Sequence, residues 1–212
     1  MQESPTTHAT PDRIMDVAGE LFAKNGFRQT SVRDICAHAN VNLAAVNYHF
    51  RDKEGLYEAI LMRSLDKCVN CYPIVEADGP PNERLATFVR MFLLRILGSG
   101  QPGWHGKLMA AEMASPTGAL HKLVEQAARP THNVLLGIVR DLMHTTSNTP
   151  QVEAVALSIM GQCLFYKHAR PVIELLGIPV PATESEIESL AQHITHFSLE
   201  GIRGLRTEAA GA

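Results

Sequence analysis

An all-α fold is what three features of the 212-residue sequence predict. Apolar residues recur at three- and four-residue spacing with no sustained alternation, the period of helices rather than strands. Apolar residues make up 45% of the chain, with Leu, Ala, Met, Glu and Gln, all good helix formers, well represented. Pro and Gly fall between the periodic runs, or where a long run must bend. Such helices bury their apolar stripes only against one another.

Residues 1–10, MQESPTTHAT, carry Pro, Thr and an acid instead of a charged-then-apolar leader, so a flexible arm is expected and not a secretory signal. A first helix begins near Pro11, with Thr10 as candidate cap and proline in the favoured first turn. It carries the stripe Ile14, Ala18, Leu21 and Phe22, and closes at Asn25-Gly26 with Phe27 packing behind. Two short helices follow, about Ser31–Ala39 and Asn42–Phe50. Asp52-Lys53-Glu54 then opens a fourth, about Glu54–Val69, with Leu56, Ile60, Leu61 and Leu65 as its stripe. Pro73 and Gly79-Pro80-Pro81 interrupt the chain. Beyond them the pattern predicts helices at about Asn82–Leu97, Trp104–Ala114 and Thr117–His144, the last kinked or split by Pro130. A long helix at about Pro150–Leu176 should bend near Arg170 because of Pro171. The segment GIPVPAT separates it from a final helix at about Glu184–Leu205.

The stretch TSVRDICAHANVNLAAVNYHF, Thr30 to Phe50, organises the rest. Thr30 or Ser31 can cap the first short helix, and Asn40 tolerates the left-handed backbone of a tight turn. Ile35 and Ala39 on one helix, with Val41, Val46 and Phe50 from the turn and the other, offer faces that pack together. That leaves Asn42, Leu43, Ala44, Ala45, Asn47, Tyr48 and His49 outward, a small, polar and aromatic surface without a carboxylate. Such a surface suits a polyanion and reads as a DNA recognition helix. Asn42 and Asn47 can pair with adenine, and Ala44 and Ala45 can touch thymine methyls, a good bidentate pair being worth roughly 1–3 kcal/mol. Asn42 could equally serve as a helix cap. Tyr48, His49 and Lys53 are candidates for phosphate, as are Thr30, Ser31 and Arg33 at a helix N-terminus. The bland readings are a cap for Thr30 and Ser31, and a solvated charge for Arg33.

Three pieces, RIMDVAGELFAKNGF, TSVRDICAHANV and NYHFRDKEGLYEAI, together resemble the N-terminal domain of TetR/AcrR-type repressors. WHGKLMAAEMASPTGAL and ALSIMGQCLFYKHARPVIELLG resemble the CecR-like branch of that family. Asn40 and Ala44 stand where the family often has Gly. The resemblance implies a three-helix helix-turn-helix DNA-binding module at 11–53, then a linker helix and a helical ligand-binding and dimerisation domain at 54–212. It implies DNA contacts at Thr30, Ser31, Arg33, Tyr48 and Lys53, and a small-molecule pocket on helices carrying Met91, Phe92, Trp104, Met109, Glu112, Met113, Phe165 and Tyr166. Apolar groups at helical spacing can also be plain core. Glu112 either faces a pocket, favouring a cationic ligand, or pairs with Arg140 or Lys167. The resemblance further implies a four-helix bundle across a twofold axis, for which Leu157, Gly161, Leu164, Ile187, Leu190, Ile194 and Phe197 are the candidates.

The net charge of −3 disfavours a nonspecific polycation, and no apolar run approaches the roughly 20 residues that span a bilayer. Cys36, Cys68, Cys71 and Cys163 are scattered through helical patterns, as thiols of a reducing cytoplasm are. Cys68-x-x-Cys71 invites a metal or redox reading, but no second CxxC accompanies it, and spacing alone does not bring His193 and His196 near. No cofactor is expected. The rival reading, an all-helical enzyme or metabolite-binding protein without a DNA role, lacks a nucleophile–base spacing, HExxH or Gly-rich phosphate loop. The expected partners are a double-stranded operator, a small-molecule effector and a second copy of the chain.

Overall fold

The computed structural model describes residues 9–98 and 104–210, so the expected arm at 1–10 lies almost wholly outside the described residues. Among them are eleven α-helices, one π turn and no strand. They are α1 Ala9–Asn25, α2 Val32–Ala39, α3 Leu43–Phe50, α4 Lys53–Cys71, α5 Pro81–Leu97 and α6 His105–Ala114. After them come α7 Ala119–Leu123, the π turn Val124–Ala128, α8 Arg129–Met143, α9 Pro150–His168, α10 Arg170–Leu175 and α11 Glu184–Ala210. None is long and apolar enough to cross a membrane.

The chain forms two compact units, Met1–Lys67 with Gln101–Glu125, and Cys68–Gly100 with Gln126–Ala212. This differs from the expected division at 53/54, because α6 and α7 cluster with the helix-turn-helix. In the first unit Ile14, Ala18 and Phe22 of α1 meet Ile35, Ala39, Val46, Leu56, Ile60 and Leu61 in a buried core. Each of the larger side chains among them contributes roughly 1.5–3 kcal/mol by burial, the two alanines less. Phe22, Phe27 and Tyr57 form an aromatic trio with centroids 4.8–5.8 Å apart. Helix α1 spans Ala9–Asn25 and so takes in Thr10, expected just ahead of it. It ends where Gly26 turns to φ 81° and its N–H donates to the Phe22 carbonyl at 2.8 Å. The α6–α7 segment adds Leu108, Ala119 and Leu123 to this core and sets the Trp104 ring against Gly19 of α1.

The second unit is organised on α5, which packs against α8, α9 and α11. Its core runs from Leu85, Phe88 and Phe92 through Leu135, Val139, Val152 and Ile159 to Ile187, Ala191 and Ile194. Arg84–Asp141 and Arg90–Glu188 bridge its rim at 2.5 and 2.6 Å. Both expected proline breaks occur. A π turn precedes Pro130, a proline in the first turn of α8, where its missing N–H costs no helical bond. Ala169 separates α9 from α10 just ahead of Pro171.

Candidate nucleic-acid interface

The α2–turn–α3 stretch is held by its own side chains. The Ser31 hydroxyl accepts from the Asp34 N–H at 3.1 Å and donates to the Asp34 carboxylate at 2.6 Å, which caps α2. Asn40 takes the left-handed conformation at φ 50°, ψ 51° and closes α2 through its N–H. The Asn42 side-chain oxygen accepts from the Ala45 N–H at 2.9 Å and caps α3. Val46 is wholly buried and anchors the inner side of α3.

That anchoring turns the opposite side outward. Asn42, Leu43, Ala44, Asn47 and Tyr48 are exposed, Tyr48 to 84%. The Tyr48 and His49 rings meet edge to face at 5.0 Å. Helix α3 carries no acidic residue, so nothing on it repels a phosphate backbone. Arg33 is exposed on the first turn of α2. Leu43, expected on the outward surface, and Arg51, which the sequence did not single out, are exposed at the two ends of α3. Leu43 opens a helix whose spacing gives it no core duty. Arg51 follows the helix at φ 72°, where periodicity says nothing about direction.

Five expected contacts take up other work, Ser31 as the α2 cap just described. Thr30 is only 1% exposed, and its hydroxyl donates to the Leu21 and Gly26 carbonyls at 3.3 and 2.9 Å. A group so enclosed does not reach a phosphate. The Lys53 ammonium donates to the Phe27 and Thr30 carbonyls at 3.0 and 3.1 Å and lies over the Phe27 ring. It ties the segment after α1 to the start of α4. Ala45 is half-buried against the core, which leaves Ala44 the freer methyl. Asn42 keeps only its amide N–H groups for a base, since its oxygen is committed to the cap.

The eight expected pocket residues divide between the two units. Met91 borders a cleft of about 60 Å³ with Ile74, Arg84 and Phe88. Phe92 is core, stacked on Phe88 at 5.9 Å, and Tyr166 packs half-buried against the same core. Phe165 and Met113 face solvent, while Trp104 and Met109 pack on the first unit's core. Glu112 is 0% exposed, and its partner is neither Arg140 nor Lys167. Its carboxylate accepts from the Thr117 N–H at 2.8 Å and hydroxyl at 3.0 Å. It also accepts from Tyr57, whose phenol is pushed up first by burial and then by this charge. A buried carboxylate needs such donors wherever it sits.

Three expected dimer contacts are core residues of the single chain. Ile187, Leu190 and Ile194 are 1%, 8% and 1% exposed, so they have no surface left to cover. Leu157, Gly161 and Phe197 are exposed, and Leu164 is half-buried. Between α9 and α11 a groove of about 330 Å³ is lined in part by Gln162, Phe197, Gly201 and Leu205.

None of the four cysteines is in a disulfide, and among the described residues no group of three or more His, Cys, Asp or Glu could hold a metal ion. Burial pushes the Cys68 thiol up, only partly offset by Arg95 and Lys167, whereas Cys71 is exposed. A protonated buried thiol is a poor nucleophile and a poor metal ligand.

Comparison with known proteins matches residues 14–60 to the family described as bacterial regulatory proteins, tetR family. Residues 81–202 match the C-terminal domain of the HTH-type transcriptional dual regulator CecR. The chain is 23% identical over 199 residues to CecR of Shigella flexneri, covering 88% of this chain and 89% of that one. It is 43% identical over 53 residues to the HTH-type regulator YttP of Bacillus subtilis (strain 168), covering 25% of this chain and about a quarter (26%) of YttP. Among solved structures, a bacterial regulatory protein in the tetR family from Rhodococcus RHA1 superposes with TM-score 0.66 at 20% identity, covering 92% of this chain and 97% of that one.

Proposed function

Because this chain belongs to the TetR family of bacterial regulatory proteins, with a C-terminal domain of the CecR type, we propose that it is a homodimeric repressor released from DNA by a small molecule. It is a transcriptional regulator, not an enzyme. The observation that carries the DNA-binding reading is the outer side of α3, exposed from Asn42 to Tyr48 and free of carboxylates, on a helix pinned by a buried Val46.

In this reading α3 of each protomer enters the major groove of one half of a pseudo-palindromic operator. Asn47, Ala44 and the Asn42 amide face base edges, while Tyr48, His49, Arg33 and the N-terminal N–H groups of α2 face phosphates. One module of this size meets too few phosphates to be both tight and selective, so two act together. The exposed face of α9 and α11 around Leu157, Gly161 and Phe197 joins the copies, and Gly161 lets the helices approach closely. The effector binds in the C-terminal body and shifts α4, changing the spacing of the two modules. It does so by preferring the spacing that does not fit DNA, since a ligand indifferent to spacing shifts nothing. The cytoplasm is where this happens, beside the DNA and where the four cysteines, none in a disulfide, stay reduced.

Fluorescence anisotropy with the DNA flanking its own gene, at two salt concentrations, tests the reading. Saturable binding that exceeds binding to scrambled DNA and weakens with salt is the expected result. Equal, weak binding to both DNAs would overturn it.

A further inference from the structure

Among the described residues three that are not glycine have positive φ, namely Asn40, Arg51 and His144. Asn40 and His144 lie in the left-handed helical well, at φ 50°, ψ 51° and φ 53°, ψ 43°. Asn and His enter that well more readily than most residues. Arg51 does not share it. Its φ of 72° and ψ of −56°, with the Asp52 N–H donating to the Phe50 carbonyl at 2.9 Å, make a γ-turn of the positive-φ form. That turn is rare and strained.

Both neighbouring helices hold the turn in place. The Arg51 N–H donates to the Asn47 carbonyl at 3.0 Å and so completes the last turn of α3. The Asp52 carboxylate accepts from the Gly55 N–H at 2.7 Å, and its carbonyl from the Leu56 N–H at 3.1 Å, which opens α4. The Phe50 carbonyl lies against Gly55, where no Cβ would fit. Position 51 must take the conformation that these bonds leave, as strained residues do where their surroundings over-determine them. Glycine would take it without strain, yet an arginine stands there.

Nothing within the chain calls for that guanidinium. The Arg51 side chain is 87% exposed, and its ionic neighbour among the described residues is Asp52 at 3.8 Å. So exposed and so long a pair contributes little. Asp52 is in any case occupied as the cap of α4. The location points outward instead: Arg51 follows directly on α3, three residues after the exposed Tyr48 and one turn after Asn47. Lys53, expected to serve a phosphate at this end, has its ammonium committed to the Phe27 and Thr30 carbonyls. In a chain of net charge −3, attraction to DNA depends on a few placed cations, and here the free one is Arg51. Its planar N–H fork suits a phosphate.

We propose that Arg51 binds a phosphate of the DNA backbone at the end of α3, in the role expected of Lys53, and that the strained turn is kept because it places this side chain there. This rests on the DNA-binding reading above and adds a residue to it. The test compares wild type, Arg51→Gly and Arg51→Lys by thermal melting and by fluorescence anisotropy with the flanking DNA and scrambled DNA over a salt series. Glycine admits the same φ and ψ, so the turn survives the change. Arg51→Gly should therefore melt at or above the wild-type temperature while its DNA affinity falls about tenfold, on both DNAs alike. The slope of log affinity against log salt should shrink by about one, and Arg51→Lys should restore it. Unchanged affinity and slope in Arg51→Gly overturn the assignment. A fall in affinity together with a fall in melting temperature also overturns it, since the residue would then act through the fold. A loss confined to the flanking DNA, with the slope kept, means base reading and overturns the phosphate contact. A wild type that binds neither DNA overturns the DNA-binding reading itself, and this assignment with it.

Discussion

The Lys53 ammonium lies 4.4 Å from the centre of the Phe27 ring and donates to the Phe27 carbonyl at 3.0 Å. With its second bond to the Thr30 carbonyl, this one side chain fixes the path from α1 to α2 against the start of α4. Lys53→Met should therefore lower the stability of the first unit by about 2–3 kcal/mol, from lost charge-assisted hydrogen bonds and cation–π attraction. Chemical denaturation followed by circular dichroism measures it. An unchanged midpoint would mean that the ammonium is free for DNA after all.

Thr30 and Tyr48 should separate folding from binding. Thr30→Val removes a buried hydroxyl and leaves two carbonyls short of a donor, costing about 1–3 kcal/mol. Its folded fraction should bind DNA as wild type does. Tyr48→Phe should leave the melting temperature unmoved, because the side chain is 84% exposed, and weaken DNA binding about tenfold through a lost phosphate contact. Swapped outcomes for the two variants would reverse the assignment.

The two asparagines of the recognition segment should also part ways. Asn42→Ala loses the α3 cap, which is worth about 0.5–2 kcal/mol, and Asn42→Ser should recover most of that stability. Asn47→Ala should leave stability alone and narrow the gap between cognate and altered operators by about 1–3 kcal/mol. Binding across a set of single-base operator changes is the measurement.

Gly55 sits where no side chain fits. A Cβ there would lie 2.1 Å from the Phe50 carbonyl oxygen, a backbone atom that cannot swing aside. Gly55→Ala should push the end of α3 away from α4, lowering the melting temperature and DNA affinity together. Crystallography of the variant, or amide shifts along α3, would show the displacement; unperturbed α3 amides would rule it out.

Alkaline pH should destabilise the second unit through Cys163. Burial pushes its thiol from the ordinary value near 9 up to about 12. Above the ordinary value the unfolded chain has lost this proton and the folded chain has not. Stability is then full below pH 9 and falls as pH rises toward 12. Denaturation in reductant at pH 8 and pH 10 should show the decline, and Cys163→Ala should flatten it relative to wild type.

Much of the fold was legible in the residues because the signals are local. The α1 stripe, the Gly26 stop, the left-handed Asn40, the caps at Ser31 and Asn42, and the breaks at Pro130 and Pro171 depend only on residues within a turn or two. The outward side of α3 followed from the same short-range logic, since Val46 could point only inward. Other assignments depended on distant neighbours. Thr30 and Lys53 stand at helix starts, where a donor serves a phosphate or a nearby carbonyl equally well, and the carbonyls of Leu21, Gly26 and Phe27 took them. Glu112 found Thr117 and Tyr57 instead of a cation, because α6 packs with the first unit.

What the sequence determined by itself was the set of helices, the breaks between them and the family, all carried by spacing and turn chemistry along the chain. What tertiary structure decided was which side of each helix remains free. Ile187, Leu190, Ile194 and Phe197 share one helix and one apolar character, yet the first three are sealed in the chain's own core and the last is open. Periodicity states that a stripe must be covered; only the packing of α5, α9 and α11 determines whether this chain covers it or leaves it for another.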